Sequence, residues 1–148
     1  MQTGDDRTDG GETTAVEADE PVPGDEQIRV LHVDDEPALL EVTEQFLQHE
    51  DERIVVETAT SPREGFELLD DSFDVVVSDY QMPEMDGLAF LERLREDSEI
   101  PFIVFTGHGR EEVAVDALNL GADRYLQKGG HPKSQYGLLA DAIVQETA

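Results

Sequence analysis

Asp79 closes the apolar run Phe73-Asp74-Val75-Val76-Val77-Ser78, and a loop rich in Met, Pro and Gly follows at once. The acidic cluster Asp34-Asp35-Glu36 closes a second run, Ile28-Arg29-Val30-Leu31-His32-Val33. Two further strand-like runs end in different groups, one in Thr106-Gly107 and one in Lys128. Carboxylates brought to the carboxyl ends of parallel strands converge in one crevice, where mutual repulsion is costly unless a cation or a reaction uses them. Oxygen-only ligation suits Mg²⁺, which takes one or two carboxylates plus phosphate oxygens and leaves another carboxylate free as a nucleophile. An ammonium and a hydroxyl are the groups that hold the oxygens of a transferred phosphoryl group. Gly107 has no side chain to block its approach. Taken singly, each residue would pass as a loop starter, a helix cap, a strand residue or a surface charge. Together, each closing a different strand, they point to formation of an aspartyl phosphate on Asp79.

That reading requires elements that deliver the strand ends to one edge. Ile28–Val33 reads as a first strand. Pro37–Glu50 carries Leu39, Leu40, Val42, Phe46 and Leu47 at helical spacing, with Pro37 in the first turn where its missing N–H does no harm. Residues 53–58 are β-branched and predict a second strand. Ser61-Pro62 predicts a helix start running to about Asp70, with Phe66, Leu68 and Leu69 inward. Residues 73–78 predict strand three, 88–96 a third helix and 100–105 strand four. Residues 111–120 predict a fourth helix, stopped by Gly121. Arg124–Gln127 predicts a short fifth strand, and 135–145 the last helix. Five strands alternating with five helices imply an α/β domain with a parallel sheet, and near-continuous Val/Ile/Phe strands imply a sheet covered on both faces. Right-handed crossovers then place every carboxyl end on one edge.

Composition narrows the function classes. The 148 residues suffice for one domain with a real core. With no cysteine, disulfides and thiolate metal sites are excluded. No apolar stretch nears the roughly 20 residues of a membrane span, and the acidic N-terminus lacks a signal-peptide layout, so a cytoplasmic location is expected. Residues 1–27 are Asp, Glu, Thr, Gly and Pro with almost no large apolar side chain, which predicts a disordered acidic leader ahead of a domain over 28–148. Thirty-six Asp and Glu against ten Lys and Arg give a formal net charge of −26. Such a surface repels nucleic-acid phosphates. Because the acids are spread along the whole chain, the charge is expected of a proteome adapted to high salt, where the Debye length falls to about 3 Å at 1 M.

The chain resembles the receiver domain of two-component response regulators. The resemblance rests on Val33-Asp34-Asp35-Glu36-Pro37, on Val77-Ser78-Asp79-Tyr80-Gln81-Met82-Pro83-Glu84-Met85-Asp86-Gly87, on Phe105-Thr106-Gly107 and on Tyr125-Leu126-Gln127-Lys128, and spans about residues 28 to 146. With the acidic surface it suggests a salt-adapted archaeal source. It implies a flavodoxin-like, doubly wound sheet of strand order 2-1-3-4-5. It implies that Asp79 accepts a phosphoryl group from a sensor histidine kinase, that Asp34, Asp35, Asp79 and the main-chain carbonyl of Gln81 hold Mg²⁺, and that Lys128 contacts the phosphate. Thr106 and Tyr125 match the switch pair whose movement alters partner binding. Met82-Pro83 and Asp86-Gly87 read as loop architecture.

Further expectations follow from the resemblance. Enzymatic turnover is expected only in the chain's own phosphorylation and dephosphorylation, and no direct contact with nucleic acid or membrane is expected. The state expected is a monomer or a weak homodimer through the face made by the fourth helix, fifth strand and fifth helix. Gln81 and His108, two residues beyond Asp79 and Thr106, border the path of hydrolytic water and are candidates for setting the phosphate's lifetime. The family usually places a proline after its lysine; here Lys128-Gly129-Gly130 must make that turn. The chain stops just after its last helix, as expected of a free-standing receiver or of a piece of a larger regulator or kinase. Two alternatives stay open. A Mg²⁺-dependent aspartyl-phosphate phosphatase usually needs a second acid where Gln81 stands, and a docking module that is never phosphorylated would be expected to have lost part of the acid–Thr–Lys set.

Overall fold

The computed structural model describes residues 27–107 and 110–148. All of the expected leader except Gln27 lies outside the described residues, as does His108. Ten elements alternate: β1 (Ile28–Val33), α1 (Pro37–Glu50), β2 (Ile54–Ala59), α2 (Pro62–Leu68), β3 (Val75–Ser78), α3 (Gly87–Leu94), β4 (Phe102–Thr106), α4 (Glu111–Asn119), β5 (Arg124–Gln127) and α5 (Pro132–Thr147). The strands form one parallel sheet in the order β2-β1-β3-β4-β5. This is the doubly wound arrangement expected from the sequence.

Alternate residues along each strand feed two cores. Ile28, Val30, Val75, Val77, Ile103 and Phe105 pack with α1 and α5 through Leu47, Tyr136, Leu139 and Ile143. Leu31, Val33, Val76, Phe102 and Val104 pack on the other side with Phe90, Leu91, Leu94 and Ala117 of α3 and α4. Burial on both faces is why the strands read as unbroken apolar runs. Local signals start the helices. Ser61 accepts the Glu64 amide at 3.1 Å to open α2, Asp86 accepts the Ala89 amide at 2.8 Å to open α3, and Pro residues stand at the starts of α1, α2 and α5.

Several expected details shift. In α1, Val42 is 41 % exposed and Thr43 takes the inward position, its hydroxyl donating to the Tyr136 hydroxyl at 3.3 Å. α2 stops at Leu68, one residue before an extended Leu69, so Leu68 faces solvent while Phe66 packs edge-on against Phe90 at 4.9 Å. β3 begins at Val75; just before it, the Asp74 amide donates to the Arg29 carbonyl at 2.8 Å while the Asp74 carboxylate accepts the Arg29 amide at 2.8 Å, so a side-chain oxygen takes the place of a main-chain acceptor. α5 starts three residues earlier than its apolar pattern, at Pro132, with the His131 ring nitrogen accepting the Lys133 amide. Among the described residues no helix is long and apolar enough to cross a membrane.

One core residue is out of keeping with its neighbours. His32, in β1 between Thr58 and Val77, is fully buried, and neither ring nitrogen has a hydrogen-bond partner among the described residues. Burial disfavours the imidazolium, Lys128 adds to the effect and Asp79 opposes it; the pKa falls from 6.5 to about 3. The folded state therefore keeps His32 neutral where the unfolded chain takes up a proton. Its contribution is intact above about pH 6.5 and lost as pH falls toward about 3. Urea denaturation should show stability declining between about pH 6.5 and 5, before carboxylates protonate, and His32→Leu should flatten that decline. An unchanged slope in the variant would rule out His32 as its source.

Candidate functional site

Parallel strands ending on one edge place the sequence-selected groups together. Asp34 and Asp79 follow β1 and β3, the two central neighbours in the sheet, and the Asp79 amide donates to the Val33 carbonyl at 3.0 Å. Asp34 is fully buried, Asp79 nearly so and Asp35 exposed. One carboxylate oxygen from each of Asp34, Asp35 and Asp79 lies within 4.8 Å of the others. Lys128, just past β5, crosses to this cluster: its Nζ lies 3.0 Å from Asp34 Oδ2 and 3.9 Å from Asp79 Oδ2. The same ammonium stands 5.4 Å from the Phe105 ring centroid. Its amide donates to the Thr106 carbonyl at 2.8 Å, which fixes the strand end carrying the lysine against the end of β4.

The remaining oxygens are committed locally. Asp34 Oδ1 accepts the Glu36 amide at 3.0 Å, and Asp79 Oδ1 accepts the Tyr80 amide at 2.7 Å. Asp79 Oδ2 is left on the side of Lys128. Beside the cluster opens a crevice of about 520 Å³ lined by Asp35, Glu36, Asp79, Tyr80, Gln81, Met82, Pro83 and Asp86. Three carboxylate oxygens from a buried, a nearly buried and an exposed residue make a hard, oxygen-only donor set facing solvent, which suits Mg²⁺ and gives no purchase to a thiophilic metal.

The loop after Asp79 is shaped by a close approach. Gly87 donates its amide to the Tyr80 carbonyl at 2.7 Å, and a Cβ at Gly87 would lie 2.2 Å from the Asp79 carbonyl oxygen. Only glycine lets α3 start this near the end of β3. Glu84, at the loop's outer bend, takes φ +73°, and Met82 is buried against the core beneath it. Asp86-Gly87 is loop architecture, as its sequence implied, but architecture that touches the Asp79 main chain.

Thr106 ends β4, fully buried, and Tyr125 pairs with Val104 one strand further out. The Tyr125 hydroxyl is buried without a hydrogen-bond partner among the described residues, and burial, with Tyr80 nearby, pushes its pKa up. Gly107 is not a steric necessity: a Cβ there would meet Lys128 Cβ at an ordinary 3.7 Å. The Lys128-Gly129-Gly130 turn is made with φ +152° and +73°, and the Gly129 amide donates to Gln135 Oε1 at 2.7 Å, tying it to α5. Sequence reasoning passed over two residues at the site. Ser78 is buried and donates its hydroxyl to the Asp79 carbonyl at 2.9 Å; His32 lies two residues before Asp34. A polar residue inside an apolar strand was the available signal for both.

The model of the response regulator receiver domain matches residues 30–136. The response regulator SaeR of Staphylococcus aureus is 33 % identical over 105 residues, 70 % of this chain and 45 % of SaeR, so the chain spans less than half of that relative's length. Among solved structures, a response regulator receiver domain protein of Clostridium thermocellum aligns with TM-score 0.71 at 29 % identity, covering 81 % of this chain and 94 % of its own. A CheY-like receiver domain protein of Methanospirillum hungatei aligns with TM-score 0.68 at 30 % identity, covering 81 % and 96 %. A chemotaxis protein of Vibrio cholerae, CheY4, aligns with TM-score 0.67 at 28 % identity, covering 82 % and 99 %. Strand order, converging acids, a lysine just past the last strand and these matches agree: the chain belongs to the response regulator receiver domain family.

Proposed function

We propose that this receiver accepts a phosphoryl group on Asp79 from a partner histidine kinase and passes the signal on by changing what its surface binds. The observation that carries the reading is Lys128 Nζ poised between Asp34 Oδ2 and Asp79 Oδ2, a cation shared by a buried acid and the acid exposed to the crevice. In the transfer, a carboxylate oxygen of Asp79 bonds to phosphorus as the nitrogen–phosphorus bond of the kinase's phosphohistidine breaks, and the imidazole leaves with the electron pair. Lys128 and the Thr106 hydroxyl then hold oxygens of the bound phosphoryl group. Asp34, Asp35, Asp79 and the Gln81 main-chain carbonyl would hold Mg²⁺, which supplies charge neutralisation for the phosphoryl oxygens.

The signal has a short path to the surface. Thr106 and Tyr125 sit on the paired strands β4 and β5, and β5 is flanked by α4 and α5. α4 exposes Val115 and Leu118, three residues apart on one side, at 52 % and 51 %. That face suits a partner or a second copy gained or lost on phosphorylation. The net charge of −26 argues against direct binding of nucleic acid and is consistent with a high-salt cytoplasm.

Incubation with Mg²⁺ and acetyl phosphate should add one phosphoryl mass to the wild type and none to Asp79→Asn, read by intact mass spectrometry. No adduct on the wild type, or an equal one on the variant, contradicts the reading. Gln81 lines the crevice, and with His108 it is proposed to govern water access to the phosphoryl group. Replacing both should change the dephosphorylation rate several-fold, on the scale of a positioned proton-transfer or water-orienting group; an unchanged decay would remove them from that role.

A further inference from the structure

We infer that Ser78 is a positioning residue for Asp79, acting through the Asp79–Tyr80 peptide unit. This rests on Asp79 being the phosphoacceptor and goes beyond it. The peptide unit is gripped at both ends. Its carbonyl, that of Asp79, accepts the Ser78 hydroxyl at 2.9 Å; its N–H, that of Tyr80, donates to Asp79 Oδ1 at 2.7 Å. A rotation of this one plane therefore moves the donor that orients the reactive carboxylate. Gly87 backs the same carbonyl so closely that a Cβ there would lie 2.2 Å away. Ser78 is fully buried between Val33 and Val104, so no solvent competes for its hydroxyl.

The position accounts for a residue that the rest of β3 does not explain. The strand reads Val75-Val76-Val77-Ser78, and its inward positions are otherwise apolar. An apolar residue at 78 would leave the Asp79 carbonyl without its side-chain donor, and the carbonyl would have to turn to find another. With the plane held, Oδ1 is occupied by the Tyr80 amide and Oδ2 stays toward Lys128 at 3.9 Å. The serine thereby selects which carboxylate oxygen faces the incoming phosphoryl group.

The test compares wild type, Ser78→Ala and Thr43→Ala in the full chain. Thr43→Ala removes another buried hydroxyl contact, that to Tyr136, on the far face of the sheet, and controls for a merely structural loss. Two quantities are read: the rate of adduct formation with saturating Mg²⁺ and acetyl phosphate, per folded molecule, and the amide proton shift of Tyr80 by NMR. Ser78→Ala should slow phosphorylation about tenfold, within the range expected for a misplaced reacting group, and move the Tyr80 amide upfield. Thr43→Ala should move neither. A wild-type rate or an unmoved Tyr80 amide in Ser78→Ala overturns the inference. If the wild type itself forms no adduct, the phosphoacceptor reading fails, and the Tyr80 amide alone decides the clamp.

Discussion

Everything at the carboxyl edge of this sheet is arranged around carboxylates that would repel one another if left alone. Asp34 is fully buried and Asp79 nearly so, on adjacent central strands. A buried carboxylate persists only with a counter-charge and donors for its lone pairs. Asp34 has both, the Glu36 amide on one oxygen and the Lys128 ammonium on the other. Lys128 can supply that charge because β5 ends beside β4 and its amide is pinned to the Thr106 carbonyl. The lysine is thus the counter-ion of the buried acid here and, in the function proposed above, the group that would hold phosphoryl oxygens. A single residue serving both roles would couple the condition of the site to the position of β5.

The scaffold is stiff where this coupling needs stiffness. Both faces of the sheet are covered, so β1, β3 and β4 lie between two cores and shift only with them. Two of the parts nearer solvent are the Met-Pro-Glu-Met-Asp-Gly loop and the double-glycine turn after Lys128. Both are tied back, the loop by the Gly87–Tyr80 bond and the buried Met82, the turn by Gln135. Packed strand ends and these tethers hold the acids and the lysine together, a setting in which electrostatic stabilisation is most effective.

Much of this was legible in the sequence. Asp34, Asp79 and Thr106 each punctuate an apolar run and Lys128 a short strand-like one, and a parallel sheet brings such punctuation to one edge without further information. The five strands and five helices were legible for the same reason, as blocks of apolar residues separated by Pro, Gly and Asp. What was not legible depends on contacts between neighbours in sequence or on the exact phase of a helix. Val42 and Thr43 compete for one inward position, and the 3.6-residue repeat admits either until Tyr136 settles it. Leu68 looked inward until the helix ended beneath it. The Ser78–Asp79 bond joins adjacent residues, and the closeness of Gly87 to Asp79 follows from the loop's closure; residue spacing encodes neither.

On this reading the crowded carboxylates form a cation site and not merely an acidic surface. In a chain of net charge −26, any salt will stabilise by screening, so the measurement must be made with screening already saturated. The most direct one is the melting temperature in molar KCl, with and without millimolar Mg²⁺, for the wild type and for Asp35→Asn, whose exposed position keeps the fold out of the comparison. Mg²⁺ should raise the wild-type melting temperature, and the variant should lose the rise. No rise in the wild type, or the same rise in both proteins, would contradict it.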